Sequence, residues 1–141
     1  MRRILLASAL AGLTLAACGG GDGTPSAASS SPARARPTST GTISVVHPQP
    51  GAVINGTTMR VRVQVTGARV LVSGKASRDV RPDTGHVHLA LDGKTVTLLA
   101  GLEYEIKDLT PGQHILQAEF AAADHGPFNP RVLATATFSV R

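Results

Sequence analysis

The chain has 141 residues, a formal net charge of +5, one Cys, no Trp, three Phe and one Tyr. A single Cys excludes an intramolecular disulfide and any multi-Cys zinc or iron–sulfur site. The few aromatic side chains argue against a stacking platform for single-stranded nucleic acid or sugar rings. With 42% hydrophobic residues, the chain has enough apolar side chains for one packed core.

The N-terminus has the layout of an export signal. Arg2 and Arg3 give it positive charge, and an apolar stretch follows over residues 4–15. This stretch is shorter than the roughly 20 apolar residues that a membrane-spanning helix needs. We therefore predict a signal peptide over residues 1–17.

The predicted signal peptide ends in Leu15-Ala16-Ala17-Cys18, which contains the only Cys of the chain. This segment resembles the lipobox of bacterial lipoproteins. The resemblance implies cleavage before Cys18, a diacylglyceryl group on its thiol, and anchoring to the outer face of the cell membrane without a transmembrane helix. The alternatives are a non-lipidated signal peptide followed by a chance Cys, or a buried Cys within the fold.

Residues 18–41 form the predicted linker, which begins at the lipidated Cys. After Cys18 it consists almost entirely of Gly, Ser, Pro, Thr and Ala, and it has no large apolar side chain. Such a segment cannot bury enough surface to offset the entropy lost on ordering. We predict a flexible tether, on which Arg34 and Arg36 could contact anionic head groups or only keep the spacer soluble.

The remaining residues, 42–141, show the two-residue hydrophobic period of β-strands. In TMRVRVQVT, Val61 and Val63 alternate with Arg60 and Arg62. The same alternation occurs in HVHLALD, QHILQAEFA and RVLATATFSV. In QHILQAEFA, Gln117 and Glu119 lie on the face opposite the apolar residues. Shorter strands are predicted at 43–47, 69–73, 95–99 and 103–107.

Turn residues separate these strands. Asp92-Gly93 between two apolar runs is a hairpin signal, and Thr110-Pro111-Gly112 predicts another turn. Seven or eight short strands within about 100 residues indicate an all-β fold, an antiparallel β-sandwich with one apolar face per strand. We expect residues 42–141 to fold as one monomeric domain.

Two further resemblances cover residues 43–140. The segments HPQPGAVINGTTMRVRVQVTG and LEYEIKDLTPGQHILQAEF resemble the first strands and a later strand–turn–strand region of bacterial Ig-like domains. GHVHLALDG, LTPGQHILQAEFAAADHGPFNP and a Thr/Val-rich last strand are similar to an uncharacterised bacterial domain family with GHHH-like, PGxH and DHxP segments. The first resemblance implies an Ig-like sandwich, and the second implies no particular activity.

Histidines are the main candidates for chemistry. His86 and His88 are two residues apart on a predicted strand, so their side chains share one face, roughly 6.5–7 Å apart. His114 begins a later strand, and His125 follows Asp124 in the loop that leaves it. If these strands are neighbours, the four histidines could bind copper or zinc, with Asp124 as an oxygen ligand or as a hydrogen-bond acceptor behind a ligand.

The same histidines also fit structural roles. A His-x-His pair on a solvent-facing strand is often only a polar face. His114 shares its predicted face with Leu116 and Phe120, which favours a partly buried side chain bonded to a backbone carbonyl. Asp124 and His125 could form part of a loop with an Asx turn.

Basic residues concentrate in one part of the domain. Six basic residues and one acid lie between Arg60 and Arg81, and the polar loop at 74–85 carries Lys75, Arg78 and Arg81. These three could contact an acidic envelope protein, a phosphate or an anionic polymer, or only form a solvated surface. An exported, membrane-tethered protein would not meet nucleic acid, so we expect no nucleic-acid partner.

The sequence contains no nucleophile elbow, P-loop, dinucleotide fingerprint or HExxH motif, so we expect no enzymatic activity. The leading interpretation is a membrane-anchored surface lipoprotein that presents one Ig-like binding domain. The competing interpretation is an envelope protein that binds copper or zinc through His86 and His88 with His114 or His125.

Overall fold

The computed structural model describes residues 35–72, 74–99 and 101–141. The predicted signal peptide, Cys18 and the linker up to residue 34 lie outside the described residues. All regular elements in the described ranges are strands. They are β1 (Thr42–His47), β2 (Ala52–Ile54), β3 (Met59–Thr66), β4 (Arg69–Val70), β5 (Thr84–Leu91), β6 (Lys94–Leu99), β7 (Glu103–Ile106), β8 (Gly112–Ala122) and β9 (Val132–Val140).

The strands form two sheets. The small sheet has the order β1-β3-β7, and the large sheet has the order β2-β9-β8-β5-β4, with β6 also paired to β5. Most pairs are antiparallel, as predicted. The pairs β2–β9 and β4–β5 are parallel, and each involves a strand of two or three residues.

Apolar side chains from both sheets meet in one core. Val61 and Val63 of β3 face Val87, Leu89, Leu116 and Phe120 of the large sheet, and all are nearly or fully buried. This alternation of inward apolar and outward polar residues is what two packed sheets require. The predicted all-β sandwich is therefore confirmed, with nine strands in the described ranges.

The hairpin between β5 and β6 lies where the sequence predicts it. Asp92 and Gly93 both have positive φ, at 50° and 78°, which matches the two-residue turn that favours Asp-Gly. Leu91 pairs with Lys94 across this turn. The turn places the Asp92 side chain beside the start of β8, in contact with His114.

Contacts with the sandwich begin before the predicted domain boundary at residue 42. Thr38 Oγ1 donates to the carbonyl oxygen of Asn129 at 2.9 Å, and Gly41 is buried. Arg36 also contacts the loop after β8, as described below. In the described ranges there is no helix with the length and apolar character needed to cross a membrane.

Candidate functional site

The outer face of the large sheet carries His86 and His88. On β5, Val87 and Leu89 point into the core, so the two histidines point to the opposite face. In the register with β8, His88 lies opposite Glu119 and His86 lies opposite Ala121. The sheet therefore brings a carboxylate next to the second histidine.

The segment from residue 123 to residue 131, here called the covering loop, supplies the third histidine. Its backbone turns back at once, because His125 N–H donates to Ala122 O at 2.8 Å and Ala122 N–H donates to Gly126 O at 2.9 Å. His125 has a φ of 64°, in the left-handed region that a non-glycine residue seldom adopts. This turn places the His125 ring against β5.

His86, His88 and His125 form a compact group, here called the histidine cluster. The rings of His86 and His125 are stacked, with centroids 4.3 Å apart and planes 5° apart. His88 Nε2 lies 3.1 Å from His125 Nδ1. Because one nitrogen of this contact must carry the hydrogen, the other presents its lone pair.

His86 is the most enclosed member of the cluster. It is 1% exposed, and its Nε2 has no hydrogen-bond partner among the described residues. Burying a polar nitrogen without a partner costs free energy, about 1–3 kcal/mol in protein substitution series. Such a cost is common at functional sites and uncommon in a core selected for stability alone.

The surroundings keep His88 in its neutral form. Burial lowers the pKa of His88, and the neighbouring rings of His125 and His86 lower it further, while the Glu119 charge acts in the opposite direction. Neutral imidazole is the form that binds transition metals. The cluster therefore favours the protonation state that a metal site requires.

In the described ranges, no group of three or more His, Cys, Asp and Glu side chains is arranged to hold a metal ion as it stands. The structure instead brings two imidazole nitrogens together, those of His88 and His125. The ring of the third histidine, His86, lies flat against His125, and the carboxylate opposite His88, on Glu119, is bonded to an arginine.

His114 does not join the histidine cluster. It points to the core side of β8, is 8% exposed and stacks on Phe138 with centroids 5.4 Å apart. Its Nδ1–H donates to Asp92 Oδ2 at 2.7 Å and its Nε2–H donates to Thr110 O at 2.8 Å. The structure thus brings together three of the four predicted histidines, and His114 has the core position that the sequence offered as the alternative.

Two acceptors determine the charge of His114. A carboxylate and a backbone carbonyl can only accept, so both ring nitrogens carry hydrogen and the ring is an imidazolium. The bonds to Thr110 O and to Asp92 accordingly raise the pKa of His114. The bonds from Ile115 N–H and from His114 lower the pKa of Asp92.

Asp124 binds an arginine of the predicted linker. Arg36 donates to Asp124 Oδ2 and Oδ1 at 2.6 and 2.8 Å, and its Nε donates to Pro127 O at 2.7 Å. The bonds from Arg36 to the carboxylate lower the pKa of Asp124 to about 2. The guanidinium lies against Gly126, where a Cβ atom would come within 2.6 Å of it. Both carboxylate oxygens of Asp124 therefore bind Arg36, and this ion pair holds the covering loop.

Of the three basic residues predicted to contact a partner, one lines a cavity. Arg78 borders a cavity of about 450 Å³ together with Arg36, Val80 and Asp124. Lys75 is exposed, and Arg81 lies 3.4 Å from Asp83 in an exposed pair. The structure therefore brings Arg78 near Arg36 but shows no common contact of all three residues in the described part of the chain.

Sequence reasoning missed Arg36, Glu119 and Arg131 as neighbours of the site. Arg131, at the end of the covering loop, donates to Glu119 Oε1 and Oε2 at 2.9 and 2.7 Å. Glu119 and Arg131 line a cavity of about 200 Å³ that also includes His88. The only sequence signal for Glu119 was its place on the outward face of β8. That this face lies beside His88 could not be predicted, because the pairing of β8 with β5 is not local.

No protein-family model matches the chain, and no curated protein matches it significantly. Among solved structures, the chain is similar to fibronectin(III)-like modules of CbhA from Clostridium thermocellum, with 12% identity, coverage of 70% of this chain and 93% of the module, and a TM-score of 0.48. It is also similar to a human PKD domain, with 9% identity, coverage of 89% of this chain and 92% of that domain, and a TM-score of 0.45.

A third similar structure is a CARDB domain from Pyrococcus furiosus in complex with di-metal ions, with 12% identity, coverage of 76% and 92%, and a TM-score of 0.43. All three TM-scores are below 0.5. The fold is defined by the two sheets and the core of the chain itself.

Proposed function

We propose that the chain is a lipid-anchored binding domain displayed on the outer face of the cell membrane. The observation that carries this proposal is Leu15-Ala16-Ala17-Cys18, with the only Cys of the chain at the position that lipid attachment requires. A folded sandwich that needs no disulfide fits this arrangement, because the thiol is then free for acylation. Binding is assigned rather than catalysis, since the sequence lacks the common catalytic motifs.

The polar loop predicted at 74–85, which ends where β5 begins at Thr84, is the proposed contact for an envelope protein or an anionic envelope polymer. Ser77 N–H donates to Ala123 O at 2.8 Å, which fixes one point of this loop against the covering loop. Arg78 lies at the cavity beside Arg36, and Lys75 is exposed. Side chains on a loop held by a rigid sandwich are well placed to bind a partner.

Lipid attachment is tested by expressing the full chain in a bacterial host and measuring the mass of the mature protein. We expect an N-terminus at Cys18, a mass increase that corresponds to acylation, and recovery in the membrane fraction. Cys18→Ser should lose the lipid and leave the chain unprocessed, whereas Ser30→Ala should behave as the parent. Wild-type protein that retains residues 1–17 and carries no lipid would contradict the proposal.

A second function is favoured by one contact. We propose that His88 and His125 bind one copper or zinc ion, because their nitrogens already lie 3.1 Å apart. With metal–nitrogen bonds of about 2.0–2.1 Å, this separation corresponds to a nitrogen–metal–nitrogen angle of about 100°, close to tetrahedral or square-planar values. On binding, the hydrogen between the two rings would move to the other nitrogen of its own ring, so that both imidazoles stay neutral and both facing nitrogens present a lone pair to the ion.

His86 supports the same proposal. Its partnerless Nε2 is a donor atom held in a buried position next to His125. Because the ring of His86 lies parallel to that of His125, it would have to tilt out of the stack to direct this nitrogen toward an ion bound by the other two rings. Metal binding would then satisfy a polar atom that the metal-free fold leaves without a partner.

Metal binding is tested by calorimetry and copper EPR on the full chain carrying Cys18→Ser, without a histidine tag. The Cys substitution removes a thiol that would itself bind the ion. We expect one Cu(II) or Zn(II) per chain, and complete loss of this site in both His88→Ala and His125→Ala. His47→Ala, which removes an exposed histidine of β1, is the matched control and should bind like the parent. Equal binding by all four proteins would refute a site at the cluster.

A further inference from the structure

A carboxylate lies beside the histidine cluster. Glu119 is directly opposite His88 in the β5–β8 register, so their Cβ atoms are about 4.5–5.5 Å apart on the same face of the sheet. The Glu119 side chain is only 12% exposed, and both residues line the same small cavity. A glutamate in this position is within reach of an ion bound to His88.

Arg131 occupies this carboxylate in the metal-free protein. Both guanidinium bonds go to Glu119, and the Arg131 side chain is 54% exposed, so the guanidinium can swing into solvent once a bound cation pairs with the Glu119 carboxylate. Arg131 also belongs to the covering loop that carries His125. The covering loop therefore makes two side-by-side contacts with the sheet. His125 contacts His88, and Arg131 contacts Glu119.

Charge favours an exchange between these contacts. Two or three neutral imidazoles would leave the full double charge of the ion in a partly buried site. A carboxylate ligand reduces that charge, and carboxylate oxygen binds zinc at about 2.0–2.2 Å. The Arg131 guanidinium, in contrast, repels a cation bound beside it.

We propose that Glu119 is a ligand of the metal bound at the histidine cluster and that it leaves Arg131 when the ion binds. This inference rests on the proposed metal site at His88 and His125. It explains why no three ligands converge in the described structure, since the third is held in a salt bridge. Arg131 then lowers the affinity for the ion, because the bond that it makes to Glu119 must break first.

The test compares copper affinities of variants of the full chain carrying Cys18→Ser, in competition with a chelator. Glu119→Gln should weaken binding at least tenfold, and Arg131→Gln should tighten it. Adding Arg131→Gln to Glu119→Gln should give much less tightening, because the salt bridge is already absent. The matched control is Glu103→Gln, which breaks the exposed pair with Arg62 on the small sheet and should leave the affinity unchanged.

The outcomes separate the proposed role of Glu119 from the proposed histidine site. Binding that is lost in His88→Ala but unchanged in Glu119→Gln would refute the role of Glu119 and leave the histidine site intact. A parent protein that binds no metal would refute both. Circular dichroism checks that each variant folds, and Glu119→Asp provides a second variant that keeps the carboxylate but shortens its reach. Its affinity should fall between those of the parent and Glu119→Gln.

Discussion

Replacing Phe120 by Ala should lower the free energy of unfolding by about 3–5 kcal/mol, the range typical of buried Phe→Ala changes. Phe120 is fully buried in β8, and its ring stacks on Phe128 of the covering loop with centroids 5.5 Å apart. The substitution therefore leaves a cavity between the two sheets and also loosens the loop that carries His125. A small domain is stable by only about 5–15 kcal/mol, so this loss is a large part of the total.

Urea unfolding followed by circular dichroism measures this change, since the chain has no Trp to report by fluorescence. Leu133→Ala is the control, because this side chain is exposed on the neighbouring β9 and its loss should cost less than about 0.5 kcal/mol. Phe120→Leu keeps most of the volume and remains measurable if the Ala variant does not fold. A loss below 1 kcal/mol for Phe120→Ala would contradict the full burial of this ring, because even a core that collapsed around the gap would lose the transfer free energy of the missing side chain.

The long strands were predictable from sequence because their pattern is local. On β3, β8 and β9, a two-residue alternation runs over eight or more residues, and the structure turns one side of each strand to the core, with Ile115 and Leu133 as exposed apolar exceptions on the other side. β2 was missed because three residues cannot show a period. β4 is shorter than the predicted 69–73, where the strand pairing covers only Arg69 and Val70 and Ser73 lies outside the described residues.

The candidate site was predictable only in part. A two-residue period places His86 and His88 on one face, and the structure shows them there. The burial of His86 was not predictable, because its cover comes from a loop more than 35 residues further along the chain. Turn chemistry in the covering loop, with His125 at positive φ, decides which side of the sheet the third ring occupies.

Two arginines were missed for different reasons. Arg36 lies in a segment whose composition predicts a tether, yet a bidentate bond to Asp124 and a bond to Pro127 O fix it to the covering loop. Arg131 has no local signal, because its partner Glu119 is twelve residues away across a turn. Composition cannot report a single strong ion pair, and here that pair is joined by the bond between Thr38 and Asn129 that also holds the segment to the sandwich.

His114 and Asp92 should give the domain a pH-dependent stability. The raised pKa of His114 means that the folded protein holds a proton that the unfolded chain releases. The contribution of His114 to stability is therefore complete below the ordinary histidine pKa of about 6.5, and it is lost as the pH rises through the raised pKa. The lowered pKa of His88 has the opposite effect on stability. It makes the free energy of unfolding fall as the pH drops below about 6.5, which is outside this window.

Unfolding free energies of the parent, measured in chelator-treated buffer from pH 6.5 towards pH 9, should therefore decrease. His114→Gln should be less stable than the parent by about 2 kcal/mol at pH 6.5, the typical value of charge-assisted hydrogen bonds, and this difference should shrink as the pH rises. Asp92→Asn is the matched variant, since Asn-Gly keeps the hairpin turn while removing the charge, and it should flatten the same pH profile. A parent whose stability does not change over this range would show that His114 is neutral in the folded protein.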